Sequence, residues 1–288
     1  MTAPNELRFA LNRMAVPRTT FADFAAMARR LGVDAIEIRN DLPGVEIRDG
    51  MPASDVGAIA RAHGLTIRSI NALYPFDVFN AERAEQAAAL ARYARDCGAE
   101  ALVMCPLNSP DGRSTEQRHA DLVAALRGLR PILDDHGLVG LVEPLGFPVC
   151  ALRRKSAAVR ALQEVDAGPT FRLVHDTFHH HLAGEDAFFP EHTGLVHLSG
   201  VVDATLASDD LLDAHRVLVD GDDRLGNVAQ LRRLLDLGYR GYVSFEPFAE
   251  EVAAATDIEA QLAASMAHLR AGVAALADGV ATQAGVVA

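Results

Sequence analysis

Four residues able to carry chemistry stand at or near the ends of short apolar runs. Glu143 follows Leu138-Val139-Gly140-Leu141-Val142, Asp176 follows Leu173-Val174-His175, and Glu246 follows Tyr242-Val243-Ser244-Phe245. His197 lies inside Leu195-Val196-His197-Leu198. Runs of this kind read as strands buried on both faces, where a charged residue is out of place unless it serves a site. Three carboxylates brought together away from water repel strongly. A divalent cation resolves the repulsion. One imidazole with three carboxylates is an oxygen-rich donor set suited to Mn²⁺, Mg²⁺, Co²⁺ or Zn²⁺, and a six-coordinate ion would keep two positions for substrate oxygens. Taken singly, each residue reads more simply as a solvated loop-edge group or the partner of an arginine. At four equivalent strand ends, the single-metal reading is the stronger one.

Other polar residues gather around these four. In Asp176-Thr177-Phe178-His179-His180-His181, His179 stands three residues after Asp176 and faces the same place as a neighbour of the metal or a substrate contact. His180 and His181 read as loop residues, and His175, on the opposite face of its strand, points outward toward a helix. Arg216 lies in the long segment after His197, where it reads equally as a clamp on substrate oxygens and as a surface ion pair with Asp213 or Asp220. Asn12 ends the first strand, Glu37 and Arg39 lie on the second, and Asn71 and Asn108 follow the third and fourth; such groups could meet sugar hydroxyls or simply cap loops.

These residues need a frame that brings strand ends together, and a recurring phrase supplies it. A helical segment, a Gly and a short β-rich run recur at Leu31-Gly32, His63-Gly64, Cys97-Gly98, His136-Gly137 and Leu237-Gly238. Gly just past a helix is the favoured left-handed cap, and the repetition predicts αβ units around a parallel sheet. Strands at Arg8 to Asn12, Phe171 to Val174 and Gly194 to Leu198 complete eight. Helices are predicted over Phe21 to Leu31, with Thr20 as N-cap, and over Arg83 to Cys97. Eight βα units without a linker predict a single (β/α)8 TIM barrel over residues 1–275, followed by a C-terminal tail, 276–288, with a frayed end. A length prior alone would favour two domains. The competing doubly wound sheet lacks its phosphate fingerprint, because Ala10-Leu11-Asn12-Arg13-Met14 has no Gly.

Composition limits the partners. Of 288 residues, 27 are Lys or Arg against 39 Asp or Glu, a net charge of −12 that disfavours nucleic acid. The densest basic cluster, Arg153-Arg154-Lys155, is short. No run approaches the ~20 apolar residues of a membrane span, and Met1 to Ala10 carries no signal-peptide core. Three widely spaced Cys fit reduced thiols, so a soluble, cytoplasmic protein is expected.

Glu143-Pro144-Leu145-Gly146, His175-Asp176-Thr177-Phe178-His179, Val196-His197-Leu198 and Ser244-Phe245-Glu246-Pro247 together resemble the xylose-isomerase-like TIM-barrel superfamily of sugar isomerases and epimerases. Ala35-Ile36-Glu37-Ile38-Arg39, Ile70-Asn71-Ala72-Leu73 and Gly146-Phe147-Pro148-Val149-Cys150 are similar to its 2-keto-myo-inositol (inosose) isomerase branch. The resemblance implies that Glu143, Asp176, His197 and Glu246 hold the metal and that His179 and Arg216 contact substrate oxygens. Asn71 and Asn12 are further candidates for substrate binding. Glu246 is the first choice as catalytic base, with Glu143 as its counterpart, in an enediolate mechanism on a ketose or keto-inositol. A homodimer is an expectation drawn from related barrels. In one place the chain departs from the pattern: where a Pro-Gly-x-Gly turn is usual, it has Asp220-Gly221-Asp222-Asp223. Ketose 3-epimerase and hydroxypyruvate isomerase are the near alternatives. An endonuclease IV-like phosphodiesterase would need more His ligands on the early strands, which offer Asn12, Asn71 and Asn108 instead. A non-catalytic binding barrel is the remaining alternative.

Overall fold

The computed structural model describes residues 6–284, with side chains through residue 277. Eight parallel strands pair in sequence order and close on themselves: β1 (Arg8–Asn12), β2 (Ala35–Arg39), β3 (Thr66–Leu73), β4 (Ala101–Met104), β5 (Val139–Val142), β6 (Phe171–Asp176), β7 (Thr193–Leu198) and β8 (Tyr242–Phe245). The helices between and after them are α1 (Phe21–Arg30), α2 (Ala53–Ala62), α3 (Ala81–Cys97), α4 (Thr115–Asp134), α5 (Lys155–Glu164), α6 (Thr177–Ala183), α7 (Asn227–Asp236), α8 (Glu250–Ala253) and α9 (Ile258–Ala284). This is the single (β/α)8 barrel expected. Thr20 caps α1 by accepting from the Asp23 N–H, and Gly98 ends α3 at φ 81°, a conformation costly for any residue with a Cβ. The division expected at residue 275 falls inside α9, and residues 285–288 of the expected tail lie outside the described residues.

The barrel interior is layered by the two-residue period of a strand. Ala10, Ala35, Ala101, Val103, Leu141, Val174, Leu195 and Tyr242 form one apolar cluster. Two residues further along, the same strands and their C-terminal extensions present Asn12, Glu37, Cys105, Glu143, Asp176, His197 and Ser244. Another two-residue step brings Arg39 and Glu246. Small apolar side chains thus plug one end of the barrel, and polar groups fill the layer above. A larger core cluster, including Phe24, Ile36, Ile70, Leu126 and Phe245, joins the outer faces of the strands to the helices. The three cysteines are free thiols, and among the described residues no helix is long and apolar enough to cross a membrane.

The segment between β5 and α5 packs directly on α6, and Gly146 makes this possible. A Cβ built there would lie 2.2 Å from the His179 carbonyl oxygen and 2.7 Å from the Leu182 Cβ. Both neighbours belong to a packed helix, so relief would require backbone movement. Gly146→Ala is expected to lower unfolding stability by about 1–3 kcal/mol. Urea titration checks this, and an unchanged midpoint would mean that the loop yields freely.

Candidate functional site

The register of the barrel brings the four singled-out residues together. Asp176 pairs with His197 across β6 and β7, and His197 pairs with Ser244 across β7 and β8. The backbones of Glu143 and Glu246 continue the ladder by donating to the carbonyls of Met104 and Leu198. One ligand atom from each of Glu143, Asp176, His197 and Glu246 lies within 4.8 Å of the others, and all four residues are buried. His197 Nδ1 is 2.8 Å from Glu143 Oε1 and 3.1 Å from Glu246 Oε2.

The other ring nitrogen of His197 reveals a residue that the sequence marks only faintly. His197 Nε2 is 3.1 Å from Glu37 Oε2, and Glu37 is fully buried. Asn71 Nδ2 donates to the same oxygen at 2.9 Å, as does the Ser69 hydroxyl, and Asn12 Nδ2 donates to Oε1 at 3.3 Å. Burial pushes the Glu37 carboxyl up, but His197 outweighs it and holds the pKa at about 2. A carboxylate this firmly ionised keeps a proton on Nε2 and leaves Nδ1 to face Glu143 and Glu246. It therefore fixes the orientation of the imidazole. The only sequence signal for Glu37 is a charge in the middle of an otherwise apolar run.

Two arginines enter the cluster and relieve part of the repulsion between its carboxylates. Arg39 donates to Glu246 Oε1 at 2.6 Å while gripping Asp41 at 2.8 and 2.7 Å. Arg216 donates to Asp176 at 2.7 Å, Glu246 at 3.1 Å, Asp213 at 3.1 Å and the Ser199 hydroxyl at 2.9 Å. Its guanidinium also lies 4.5 Å from the Phe248 ring centre. Of its two expected surface partners, Asp213 is a real one and Asp220 is not, and Arg216 itself is 1% exposed. Burial drives Glu246 toward the neutral form, yet His197, Arg216 and Arg39 together hold its pKa well below the usual carboxylate range. Burial likewise opposes charge on His197, and Glu246, Glu37 and Glu143 reverse this, raising its pKa well above the ordinary value. Four inner carboxylates face two guanidiniums and one imidazolium, so the cluster keeps a net negative charge, which a divalent cation would meet.

A cavity of about 140 Å³ reaches this cluster, and its wall includes Arg39, Asn71, Cys105, His179, Arg216 and Phe248. His179 is buried between the Phe147 and Phe178 rings, each centred 5.2 Å away, and its Nδ1 has no partner. Cys105 donates its S–H to Glu143 at 3.3 Å. Asn12 is placed differently from its expected role at the substrate. It is fully buried, donates to Glu37 and Glu246, accepts from Met14 N and Arg39, and has no part in the cavity wall. Asn108 also stays outside this wall. The departure in the Asp220–Asp223 turn has a structural counterpart: the Asp223 carboxylate accepts from the N–H groups of Val201, Leu225 and Asn227, anchoring the start of α7.

His180 and His181 lie in α6, not in a loop, because Asp176 caps that helix immediately, accepting from Phe178 N at 2.7 Å and His179 N at 3.0 Å. Behind α6, buried Lys155 places Nζ 2.9 Å from His175 Nδ1 and 2.7 Å from His180 Nδ1, and His175 Nε2 reaches Gln230 at 3.0 Å. The outward direction expected for His175 is therefore observed. Burial pushes Lys155 down to about 7; burial and then Lys155 push His180 down to about 3. A neutral amine with two N–H donors suits two imidazole acceptors.

This lysine titrates lower in the folded chain than its ordinary 10.5. Between those values the unfolded chain holds a proton that the folded chain lacks, so stability rises with pH across that window. Relative to Lys155→Met, the wild-type chain is expected to gain on the order of a few kcal/mol between about pH 7 and about pH 10. Urea titrations at both pH values check this; a pH-independent difference would refute it.

Comparison with known proteins agrees with the geometry. The profile of the xylose isomerase-like TIM barrel family matches residues 25–272. A xylose isomerase domain-containing protein from Salmonella typhimurium LT2 is 34% identical with a TM-score of 0.85, covering 93% of this chain and 99% of its own. The IolI protein, solved with a zinc atom, is 20% identical with a TM-score of 0.81, covering 92% and 98%. The 3-keto-D-glucoside 4-epimerase of E. coli is 18% identical with a TM-score of 0.70, covering 92% and 100%. No curated protein sequence matches the chain significantly. With the barrel, its site and a family match over most of its length, this chain belongs to the xylose isomerase-like TIM barrel family.

Proposed function

We propose that the protein is a divalent-metal-dependent isomerase that moves a carbonyl and its neighbouring hydroxyl on a keto-cyclitol or ketose, with 2-keto-myo-inositol as its substrate. The observation that carries this reading is the convergence of Glu143, Asp176, His197 and Glu246, all buried, within 4.8 Å. Three carboxylates and an imidazole held in one orientation fit a Mn, Mg, Co or Zn ion. The zinc atom in the IolI structure supports the fit. When bound, the ion supplies Lewis-acid polarisation of the substrate's oxygens and stabilises the negative charge of the enediolate.

The chain's own groups do the positioning and the proton transfer. Glu246 is anchored through Oε1 by Arg39 and Asn12 and reached at Oε2 by Arg216, and in this reading it is the base that takes the proton next to the carbonyl. Glu246 redelivers that proton in the isomerisation, while Glu143, its counterpart on the other side of the His197 Nδ1 contact, would give a proton of its own where the opposite face is protonated. His179, whose Nδ1 is unpartnered, and Arg216 contact substrate hydroxyls, and Asn71 completes that side of the cavity. Return of the proton to the adjacent carbon gives isomerisation. Return to the same carbon from the opposite face gives epimerisation, the chemistry named for the E. coli 3-keto-D-glucoside 4-epimerase. The substrate is a small molecule met in the cytoplasm, and the net charge of −12 argues against nucleic acid as a partner.

Elemental analysis and deuterium incorporation from solvent test this reading. The wild-type protein is expected to hold a single divalent ion per chain and to exchange deuterium into 2-keto-myo-inositol. Glu246→Gln is expected to lose exchange by about 10²–10⁴-fold. Failure to bind metal after reconstitution, with no exchange on any ketose tried, would leave a binding role instead. Glu37→Gln keeps the shape but removes the charge that orients His197, so metal affinity should fall about 10–100-fold in a chelator competition. Unaltered affinity would take Glu37 out of that role.

A further inference from the structure

A second cavity, of about 240 Å³, lies between α4, α5 and the segment that joins β5 to α5, and it shares no wall residue with the first. Arg118, Arg153, Arg154 and Arg160 line it above an apolar floor that includes buried Leu122 and Leu152. In a chain with twelve more carboxylates than cations, such a wall would be expected to be neutralised from within. It is not. The side chains of Arg154 and Arg160 make no hydrogen bond or ion pair among the described residues. Arg153 donates only to carbonyls, those of Gly146 and Leu182 at 2.7 Å each, so its charge meets no carboxylate. Arg118 pairs with Asp111 at 2.8 Å but leaves a buried Nε without a partner. The single carboxylate of the wall, Asp77, already accepts from Leu107 N at 2.7 Å and Arg113 at 3.0 Å.

The geometry points to a binding site for a phosphate monoester that carries an apolar group. Three guanidiniums without carboxylate partners match a dianion, and their planar forks suit phosphate oxygens. The leucine floor takes the apolar part. This site is independent of the isomerase reading, because none of its residues touches the first cavity.

Calorimetric titration of the full chain in phosphate-free buffer, using phenyl phosphate, inorganic phosphate and phenol, tests the proposal. Phenyl phosphate is expected to bind saturably at one site, at least about tenfold more tightly than inorganic phosphate, with phenol not binding. The exposed pair Arg154→Gln with Arg160→Gln should weaken it by at least about tenfold while circular dichroism stays unchanged. Pretreatment with a chelator should leave it unaffected. Absence of saturable binding, equal affinity in the double variant, phosphate binding as tightly as phenyl phosphate, or loss on chelation would each overturn the assignment.

Discussion

Four carboxylates packed around one imidazole at the mouth of the barrel form the constraint on which the rest of the site depends. Leaving one buried charge unpaired costs about 3–5 kcal/mol, a large share of a typical domain's stability. Each is therefore met from more than one side. Glu37 has Ser69, Asn71, Asn12 and His197; Glu246 has Arg39, Arg216, Asn12 and His197; Asp176 has Arg216 and two backbone N–H groups. Much of what looked like a list of separate rim residues is one charge-balanced network.

That network explains how a barrel strand can end in charge without losing its packing. The inward layer below is apolar, with Ala10, Ala35 and Ala101 beside Leu141, Leu195 and Tyr242. The layer above converts the same inward direction into polar contacts. Helix α6 extends the arrangement outward, since Asp176 both faces the cluster and caps the helix that carries His179. Lys155, His175 and His180 fill the space behind that helix, and Gly146 lets the β5–α5 segment close over it. The two cavities then lie on either side of this segment, with Leu145 in the wall of one and Arg153 in the wall of the other.

Much of this was legible from local patterns. Helix-Gly-strand repeats point to αβ units on a parallel sheet, because each Gly accepts a left-handed cap and each apolar run must be buried on both faces, and eight such units without a phosphate fingerprint point to a barrel. The four strand-end donors follow from the same logic: charge on a buried strand needs a reason. His179 follows from its distance to Asp176. The homogeneous Ala-rich helices, by contrast, reveal little about which face meets which neighbour.

What the sequence alone determined is thus the architecture and the residues that converge from β5 to β8, since both depend on periodicity and chain order. What only the tertiary structure decided is how the converging charges are shared. Arg216 is separated from Asp176 by forty positions, and Arg39 from Glu246 by 207, yet each pair is in direct contact. Asn12 could be read as a substrate contact until closure of β1 against β8 placed it beneath Glu246. Glu37 stands one strand from Asn12 and directly against His197, across a barrel that has to close before the two can meet. The physical reason is that strand period specifies which way a side chain points. Only the closed sheet, with its register and stagger, specifies what it meets there.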